Sequence, residues 1–243
     1  MSDSRPILEA RGLCRDVGPA KAPKRIVDDF SFQFYPGKVY TFLGPSGAGK
    51  SSILRLFNRL DEPSAGDVVF QGKPACDYPP CDLRTGVGYL FQVPYLFPGT
   101  VRDNLLFAND NITNERMAEL IRITELEPNV LDRDSESLSV GQKQRVALAR
   151  LLATDPKVVL LDEPTAALDP TITERIETVI RKLATEQKLA VLMVSHHPQQ
   201  ALRVGDEGLL IVAGRLIEHG PVQQLVNAPQ TDQGKRYRDR ELT

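Results

Sequence analysis

The sequence predicts an α/β fold with a mainly parallel core sheet, an antiparallel β subdomain and a small helical subdomain. Three apolar runs, at 39–43, 158–161 and 189–194, suit strands of the core sheet because segments of helical periodicity lie between them. Short alternating segments rich in Gly, Pro and Asp over 61–85 predict the antiparallel part. Helical periodicity over 98–129 predicts the helical subdomain.

The first part of the chain is predicted to form strands that lead into one helix. Apolar and polar residues alternate at 7–13 and 30–34, as in strands with one buried face, and a Gly- and Pro-containing turn lies between them at 18–23. The run at 39–43 is continuously apolar or β-branched, which is typical of a strand covered on both faces. A glycine-rich turn follows directly, and a helix is predicted over 52–60.

The α/β pattern returns in the second half of the chain. A helix is predicted through Arg150, and another over 171–185 separates the two later apolar runs. These elements predict a single domain over 1–230, in which the helical subdomain takes up about 93–140. The polar tail, 231–243, is expected to be mobile.

The composition argues against a membrane span and against a broad basic surface. The apolar runs are far shorter than the roughly 20 residues that cross a bilayer. With 30 Lys and Arg against 32 Asp and Glu, the net charge is −2, so no nucleic-acid partner is expected.

Met1–Pro6 lacks the pattern of a secretory signal, so the chain is expected in the cytosol. Cys14, Cys76 and Cys81 form no CxxC pair, so neither a zinc site nor a disulfide framework is expected.

A phosphate-binding motif follows the strand predicted at 39–43. Residues 44–51 fit GxxxxGK[ST], and a predicted helix follows, so backbone N–H groups and the helix N-terminus would bind phosphate oxygens. Lys50 would contact the β- and γ-phosphates, and the Ser51 hydroxyl would coordinate Mg²⁺. The expected binding residues are Gly44, Pro45, Ser46, Gly47, Ala48, Gly49, Lys50, Ser51 and Ser52.

Two carboxylates end the apolar strand predicted at 158–161, at the edge where α/β sheets bind ligands. Asp162 suits Mg²⁺, held through water, and Glu163 can polarise an attacking water. Without the phosphate motif, an exposed acidic turn would be the better interpretation of this pair.

A further motif links the chain to a family. Residues 138–142, LSVGQ, resemble the LSGGQ signature of ATP-binding subunits of ABC transporters, and the other motifs occur in the same order. Gln92 fits the Q-loop of that family, 166–169 the D-loop and His196 the switch histidine. The resemblance covers roughly residues 7–225 and implies the fold of a P-loop NTPase of the ABC cassette type. His197 and His219 match no motif and are interpreted as structural or surface residues.

The resemblance implies a head-to-tail dimer of two cassettes. ATP held by Lys50 and Ser51 of one chain would then be covered by the signature of the other. Ser139, Gly141 and Gln142 are therefore further expected binding residues. Hydrolysis would require both chains.

The resemblance also implies the roles of the remaining site residues. Glu163 would orient the attacking water, His196 would contact the γ-phosphate, and Gln92 would reach the Mg²⁺ and the water. The expected catalytic residues are thus Glu163, His196 and Gln92, and the expected metal ligands are Ser51, Gln92 and Asp162. The segment between Gln92 and the signature would move when ATP binds.

The partners implied are ATP, Mg²⁺, a second cassette and integral-membrane permease subunits, which the loop around Gln92 would touch. The chain would lie at the cytoplasmic face of the inner (plasma) membrane through its permease. An importer would also need a substrate-binding protein.

Two positions depart from the family pattern. Position 140 is Val where the signature usually has Gly, which makes that loop bulkier. Position 17 is Val where many members stack an aromatic ring on adenine, so stacking would be weaker or supplied elsewhere. Within the family, residues 89–104 resemble bacterial iron-export and plant aluminium-tolerance cassettes, whereas 58–60 is also shared with phosphate-import cassettes.

Two other functions remain open from the residues. A soluble ABC-type ATPase outside transport would share the motifs, although the interval between Lys50 and Leu138 lacks the heptads of chromosome-associated members. A small metabolite kinase would share the phosphate motif but has no use for the LSVGQ segment.

Overall fold

The computed structural model describes residues 5–19, 21–166, 168–239 and 241. In these residues the chain forms ten strands and nine α-helices. The strands are β1 (Leu8–Val17), β2 (Lys24–Phe34), β3 (Val39–Leu43), β4 (Ala65–Phe70), β5 (Lys73–Pro74), β6 (Val87–Leu90), β7 (Val158–Asp162), β8 (Ala190–Val194), β9 (Glu207–Val212) and β10 (Arg215–Pro221). The helices are α1 (Lys50–Phe57), α2 (Pro80–Gly86), α3 (Val101–Ala108), α4 (Asn114–Ile123), α5 (Val140–Leu152), α6 (Pro170–Thr185), α7 (Pro198–Val204), α8 (Val222–Asn227) and α9 (Asp232–Arg238).

The core sheet has the order β10-β9-β3-β8-β7-β6. All its neighbouring strands pair in parallel except β9 and β10, which form an antiparallel hairpin at the edge. Val194 at the end of β8 is the register partner of both Phe42 on β3 and Asp162 on β7. Because parallel strands end at the same edge, the segments that follow β3, β7 and β8 lie side by side.

Continuous apolar runs form these central strands because helices cover both faces of the sheet. On β8, Val191 and Met193 pack into the core shared with α5 and α6, whereas Leu192 and Val194 pack into the core shared with α1 and the antiparallel sheet. The predicted mainly parallel sheet is therefore confirmed.

A second sheet, with the order β2-β1-β4-β5, is antiparallel throughout. It corresponds to the predicted antiparallel subdomain, although β1 and β2 each extend beyond the predicted strands. The helical segment α3 and α4 packs on α5 through Leu105, Leu120 and Val146, which are buried.

Three details differ from the sequence-based expectations. Helix α1 covers 50–57 rather than 52–60, and the chain leaves it with Arg59 at a φ of 56°. Strand β6, a short edge strand, was not predicted. The described part of the expected mobile tail contains α9, whose Tyr237 packs beside Leu210 and Leu225. Of the expected D-loop, Ala167 lies outside the described residues, as do Met1–Ser4 of the N-terminal segment.

Among the described residues, no helix has the length and apolar character required to cross a bilayer.

Candidate active site

The phosphate motif forms a tight loop between β3 and α1. Gly44 has a φ of 137° and Gly49 one of 97°, conformations that side chains disfavour. A Cβ at Gly44 would lie 2.0 Å from the Ile211 carbonyl oxygen, and one at Gly49 would lie 2.4 Å from that of Ile26. These two positions require glycine, and the loop is pressed against the strands β9 and β2.

Lys50, the first residue of α1, is only 4% exposed. Its ammonium donates hydrogen bonds to the carbonyl oxygens of Gly44 at 2.8 Å and Pro45 at 2.7 Å. Burial lowers the pKa of Lys50 to about 8, although the charges of Glu163 and Asp162 act in the opposite direction. The loop thus holds a cation that is poorly solvated and can gain from an anionic ligand.

Asp162 at the end of β7 faces the first turn of α1. Ser51 Oγ donates a hydrogen bond to Asp162 Oδ1 at 2.7 Å, and the Tyr89 hydroxyl donates one to Oδ2, also at 2.7 Å. Burial, reinforced by the Asp162 charge, raises the pKa of Tyr89, so its hydroxyl remains a donor. Asp162 is therefore oriented by both of its oxygens.

Tyr89 was not predicted as a site residue. It lies on β6, opposite Leu160 in the parallel register, and this pairing brings its ring to the carboxyl end of β7. The short edge strand gave no periodic signal from which that pairing could be foreseen.

Glu163 lies at the centre of the three predicted catalytic residues. Its Oε1 is 2.5 Å from His196 Nε2, and its Oε2 accepts a hydrogen bond from Gln92 Nε2 at 3.1 Å. With the carboxylate ionised, the His196 ring nitrogen is the donor. The φ of Glu163, 48°, is in the left-handed region and directs the chain away from β7 immediately after the strand.

The phosphate loop and the Glu163 carboxylate line one cavity of about 240 Å³. Ile26, Glu163 and His196 line it together with Ser46, Gly47, Ala48, Gly49, Lys50, Ser51 and Ser52. The structure thus brings together residues that are far apart in sequence, as the parallel register of β3, β7 and β8 requires.

The predicted signature residues lie elsewhere. Ser139 caps α5: its side chain accepts from the Gln142 backbone, and the Gln142 side chain accepts from the Ser139 backbone. Gly141 packs closely on Ile172, and Val140 is 56% exposed. The described lining of the cavity does not include the signature residues Ser139, Gly141 and Gln142. In one chain, the phosphate loop and the signature are therefore two separate parts of the expected site.

The position expected to contact adenine lies at the end of β1. Val17 is half-buried and pairs with Lys24 on β2. Ile26, on the neighbouring strand β2, is the residue of this strand pair that lines the phosphate cavity.

An apolar groove of about 490 Å³ lies beside Gln92, between β6, α3 and α5. Phe91 and Val93, which flank Gln92, are 50% and 76% exposed and line it. Arg150 supports the groove, since it donates to the Tyr95 carbonyl oxygen at 2.8 Å and lies over the Phe97 ring. The described lining of the groove is rich in aromatic side chains.

The chain is similar in sequence and in fold to several known proteins. A sequence model described as "ABC transporter" matches residues 27–166. "Protein STAR1" of Oryza sativa subsp. japonica is 44% identical over 227 residues, which cover 92% of this chain. The chain spans 65% of the length of that rice protein.

Two solved structures share the fold over nearly the whole chain. The cbiO1 protein from Clostridium perfringens, described as part of the ABC transporter complex cbiONQ, has a TM-score of 0.83 and 27% identity, covering 98% of this chain and 97% of its own. The ATP-binding cassette MJ0796, described as a dimer in a post-hydrolysis state bound to ADP and Pi, has a TM-score of 0.78 and 27% identity, covering 88% and 98%.

Proposed function

The chain belongs to the ABC transporter family, and on that premise we propose that it binds and hydrolyses ATP as one half of a head-to-tail dimer that drives transport through separate membrane subunits. The observation that carries the proposal is the position of Glu163. It contacts His196 and Gln92 and lines the cavity of the phosphate loop.

Nucleotide binding is assigned to the loop 44–52. Its backbone and the N-terminus of α1 present N–H groups to an anion, and Lys50 adds a buried positive charge. Ile26 and Val17 would offer the adenine ring only a weak apolar contact. Most of the binding free energy would therefore come from the phosphates.

The residues around Ser51 fit a Mg²⁺ ion. Ser51 Oγ and Asp162 Oδ1 are 2.7 Å apart, and Gln92 contacts the neighbouring Glu163. The hydroxyl, carboxylate and amide oxygens of Ser51, Asp162 and Gln92 are the kind of ligands that Mg²⁺ prefers. When bound, Mg²⁺ would neutralise charge on the phosphates. Tyr89 holds Asp162 in the orientation that this binding needs.

Hydrolysis is assigned to Glu163 and the two side chains that touch it. The Glu163 carboxylate would accept a hydrogen bond from the attacking water and polarise it. His196, whose ring nitrogen contacts Glu163, would turn its N–H toward the developing charge on the γ-phosphate. Gln92 would orient the same water through its amide.

The dimer accounts for the separate position of the signature. In a head-to-tail pair, the exposed start of α5 would bring Ser139, Gly141 and Gln142 to the phosphate cavity of the second copy. The dimeric description of MJ0796, which shares this fold, supports this arrangement.

A membrane subunit is the partner we assign to the aromatic groove. The groove adjoins Gln92 through Phe91 and Val93, so a segment bound in it would sense changes at the site. The chain would thereby lie at the cytoplasmic face of the inner (plasma) membrane, and the permease, with a substrate-binding protein in an importer, would select the cargo. The description of cbiO1 as part of a transporter complex supports this partner.

The variant Glu163→Gln tests the proposal. It keeps the shape of the side chain but removes the charge that polarises water, so ATP hydrolysis should fall about 100-fold or more. ATP affinity should remain, and an ATP-bound dimer should accumulate in sedimentation experiments. The matched control is Glu186→Gln, which removes an exposed carboxylate at the end of α6. A Glu163→Gln protein that hydrolyses ATP at the parental rate would contradict the assignment.

A further inference from the structure

A buried glutamine on α7 connects the two segments that carry Glu163 and His196. Gln200 is 4% exposed. Its amide oxygen accepts a hydrogen bond from Ser195 Oγ at 2.8 Å, and its amide nitrogen donates one to Thr165 Oγ1 at 2.8 Å. Thr165 follows Glu163 closely in the chain, and Ser195 immediately precedes His196. One amide therefore bridges the segments that follow β7 and β8.

An ion pair between the exposed Arg203 and the buried carboxylate of Glu177 fixes the orientation of this amide. Glu177 on α6 is 5% exposed and accepts the second N–H of Gln200 at 3.1 Å. Arg203 holds the same carboxylate through two hydrogen bonds, at 2.7 and 2.6 Å. Because an ionised carboxylate only accepts hydrogen bonds, the nitrogen of the amide must face Glu177 and its oxygen must face Ser195.

Ser195 carries the constraint to the histidine segment. It is 2% exposed, and its Oγ also accepts a hydrogen bond from the backbone N–H of His197 at 3.0 Å. The backbone on both sides of His196 is thereby tied to one hydroxyl, which is itself tied to Gln200.

We propose that Gln200 is a positioning residue for ATP hydrolysis, because it holds the segment after Glu163 and the segment around His196 at the separation that lets the two side chains meet. The inference rests on the proposed function, which gives Glu163 and His196 their roles. Gln200 is not among the described residues that line the phosphate cavity. Its loss should therefore lower kcat while ATP affinity, which depends on Lys50 and its loop, stays nearly constant.

The first test replaces the amide by an apolar group of similar size. In Gln200→Leu, kcat for ATP hydrolysis by the full chain should fall about tenfold, while the Kd for ATP changes less than about twofold. The matched control is Gln199→Leu, since Gln199 is the preceding residue of α7 and is exposed. This control should keep kcat within about twofold. Equal kcat in the two variants, or a parallel loss of kcat and ATP affinity in Gln200→Leu, would overturn the proposal.

A second test leaves fewer buried polar groups without a partner than Gln200→Leu does, because it removes a single acceptor of the Gln200 amide. Thr165→Val removes the hydroxyl at constant shape, and Thr165→Ser retains it. The valine variant should lose kcat about as Gln200→Leu does, and the serine variant should recover it. The double variant Gln200→Leu/Thr165→Val should be slower than either single variant by no more than about twofold, because both remove the same link. If the kcat losses of the two single variants multiply in the double variant, or if Thr165→Val keeps the parental kcat, the proposed link between Gln200 and Thr165 would be overturned.

Assaying Glu163→Gln in parallel distinguishes failure of the proposed function from failure of the positioning role of Gln200 alone. If that variant turns over at the parental rate, the proposed function and this inference both fall. If it is inactive while Gln200→Leu and Thr165→Val match the parent, only the positioning role is overturned.

Discussion

Lys50 shows how a nearly neutral protein can bind a polyanion. Its ammonium is buried and held by the Gly44 and Pro45 carbonyl oxygens, and burial lowers its pKa from 10.5 to about 8. Between these two values the unfolded chain binds more protons than the folded one, so the cost that burying Lys50 imposes on folding decreases as pH rises from about 8 to 10.5. Phosphate groups near Lys50 favour its protonated, charged form. Nucleotide binding should therefore raise the pKa of Lys50, whereas burial lowers it.

We therefore predict proton uptake when Mg²⁺-ATP binds near pH 8. Lys50 is then about half protonated in the free protein, given its pKa of about 8, and fully protonated in the complex. Calorimetric titrations in buffers of different ionisation enthalpy should show uptake of about half a proton at pH 8 and almost none at pH 6.5. Lys50→Arg is the control because its guanidinium stays charged. Equal uptake in both proteins would exclude Lys50 as the source.

Helix α9 illustrates an element held by few but specific contacts. Glu218 on β10 accepts hydrogen bonds from the backbone of Gln230 and from the backbone and hydroxyl of Thr231. Burial opposes the charge of Glu218, but these bonds outweigh it and lower its pKa. Thr231 then caps α9, and Tyr237 packs on the cluster that contains Leu43, the residue before the phosphate loop.

Truncating this contact should destabilise the chain. Tyr237→Ala should lower the free energy of unfolding by about 1–3 kcal/mol, because it removes a partly buried ring that packs on the cluster. Arg236→Ala, which changes an exposed side chain of the same helix, should alter it by less than about 0.5 kcal/mol. Urea denaturation measures both values, and equal stabilities would show that α9 does not depend on Tyr237.

The elements that could be predicted from sequence are those with a strong local signal. Strands β3, β7 and β8 are buried on both faces and therefore read as continuous apolar runs. Strand β6 was missed because it has only four residues, one of them Gly88, which packs on Leu151. Helix α9 was missed because its polar residues surround a single anchoring aromatic ring.

The same distinction holds for the site. Motifs with fixed spacing identified Lys50, Ser51 and Asp162, which the structure places in contact or close proximity. Tyr89 and Gln200 act through partners on other elements, and no local pattern marks such contacts. The catalytic roles of Glu163, His196 and Gln92 stay predictions, although the structure brings these side chains together.

At the scale of the whole molecule, we propose that one chain holds two different halves of an ATPase site. Lys50 and Glu163 line the phosphate cavity, whereas the signature residues Ser139, Gly141 and Gln142 at the start of α5 are not among its described lining. The net charge of −2 provides no general attraction for ATP, so binding would depend on local dipoles and, in the proposed dimer, on closure by a second copy. A membrane subunit bound in the apolar groove beside Gln92 would move when the dimer closes.

The specific ATPase activity of the purified chain, measured over about a 100-fold range of protein concentration with saturating Mg²⁺-ATP, tests that claim most directly. A site completed by two copies predicts that activity per chain falls on dilution, in step with the fraction of dimer seen by sedimentation. Constant activity per chain at concentrations where only monomers sediment would contradict the composite site.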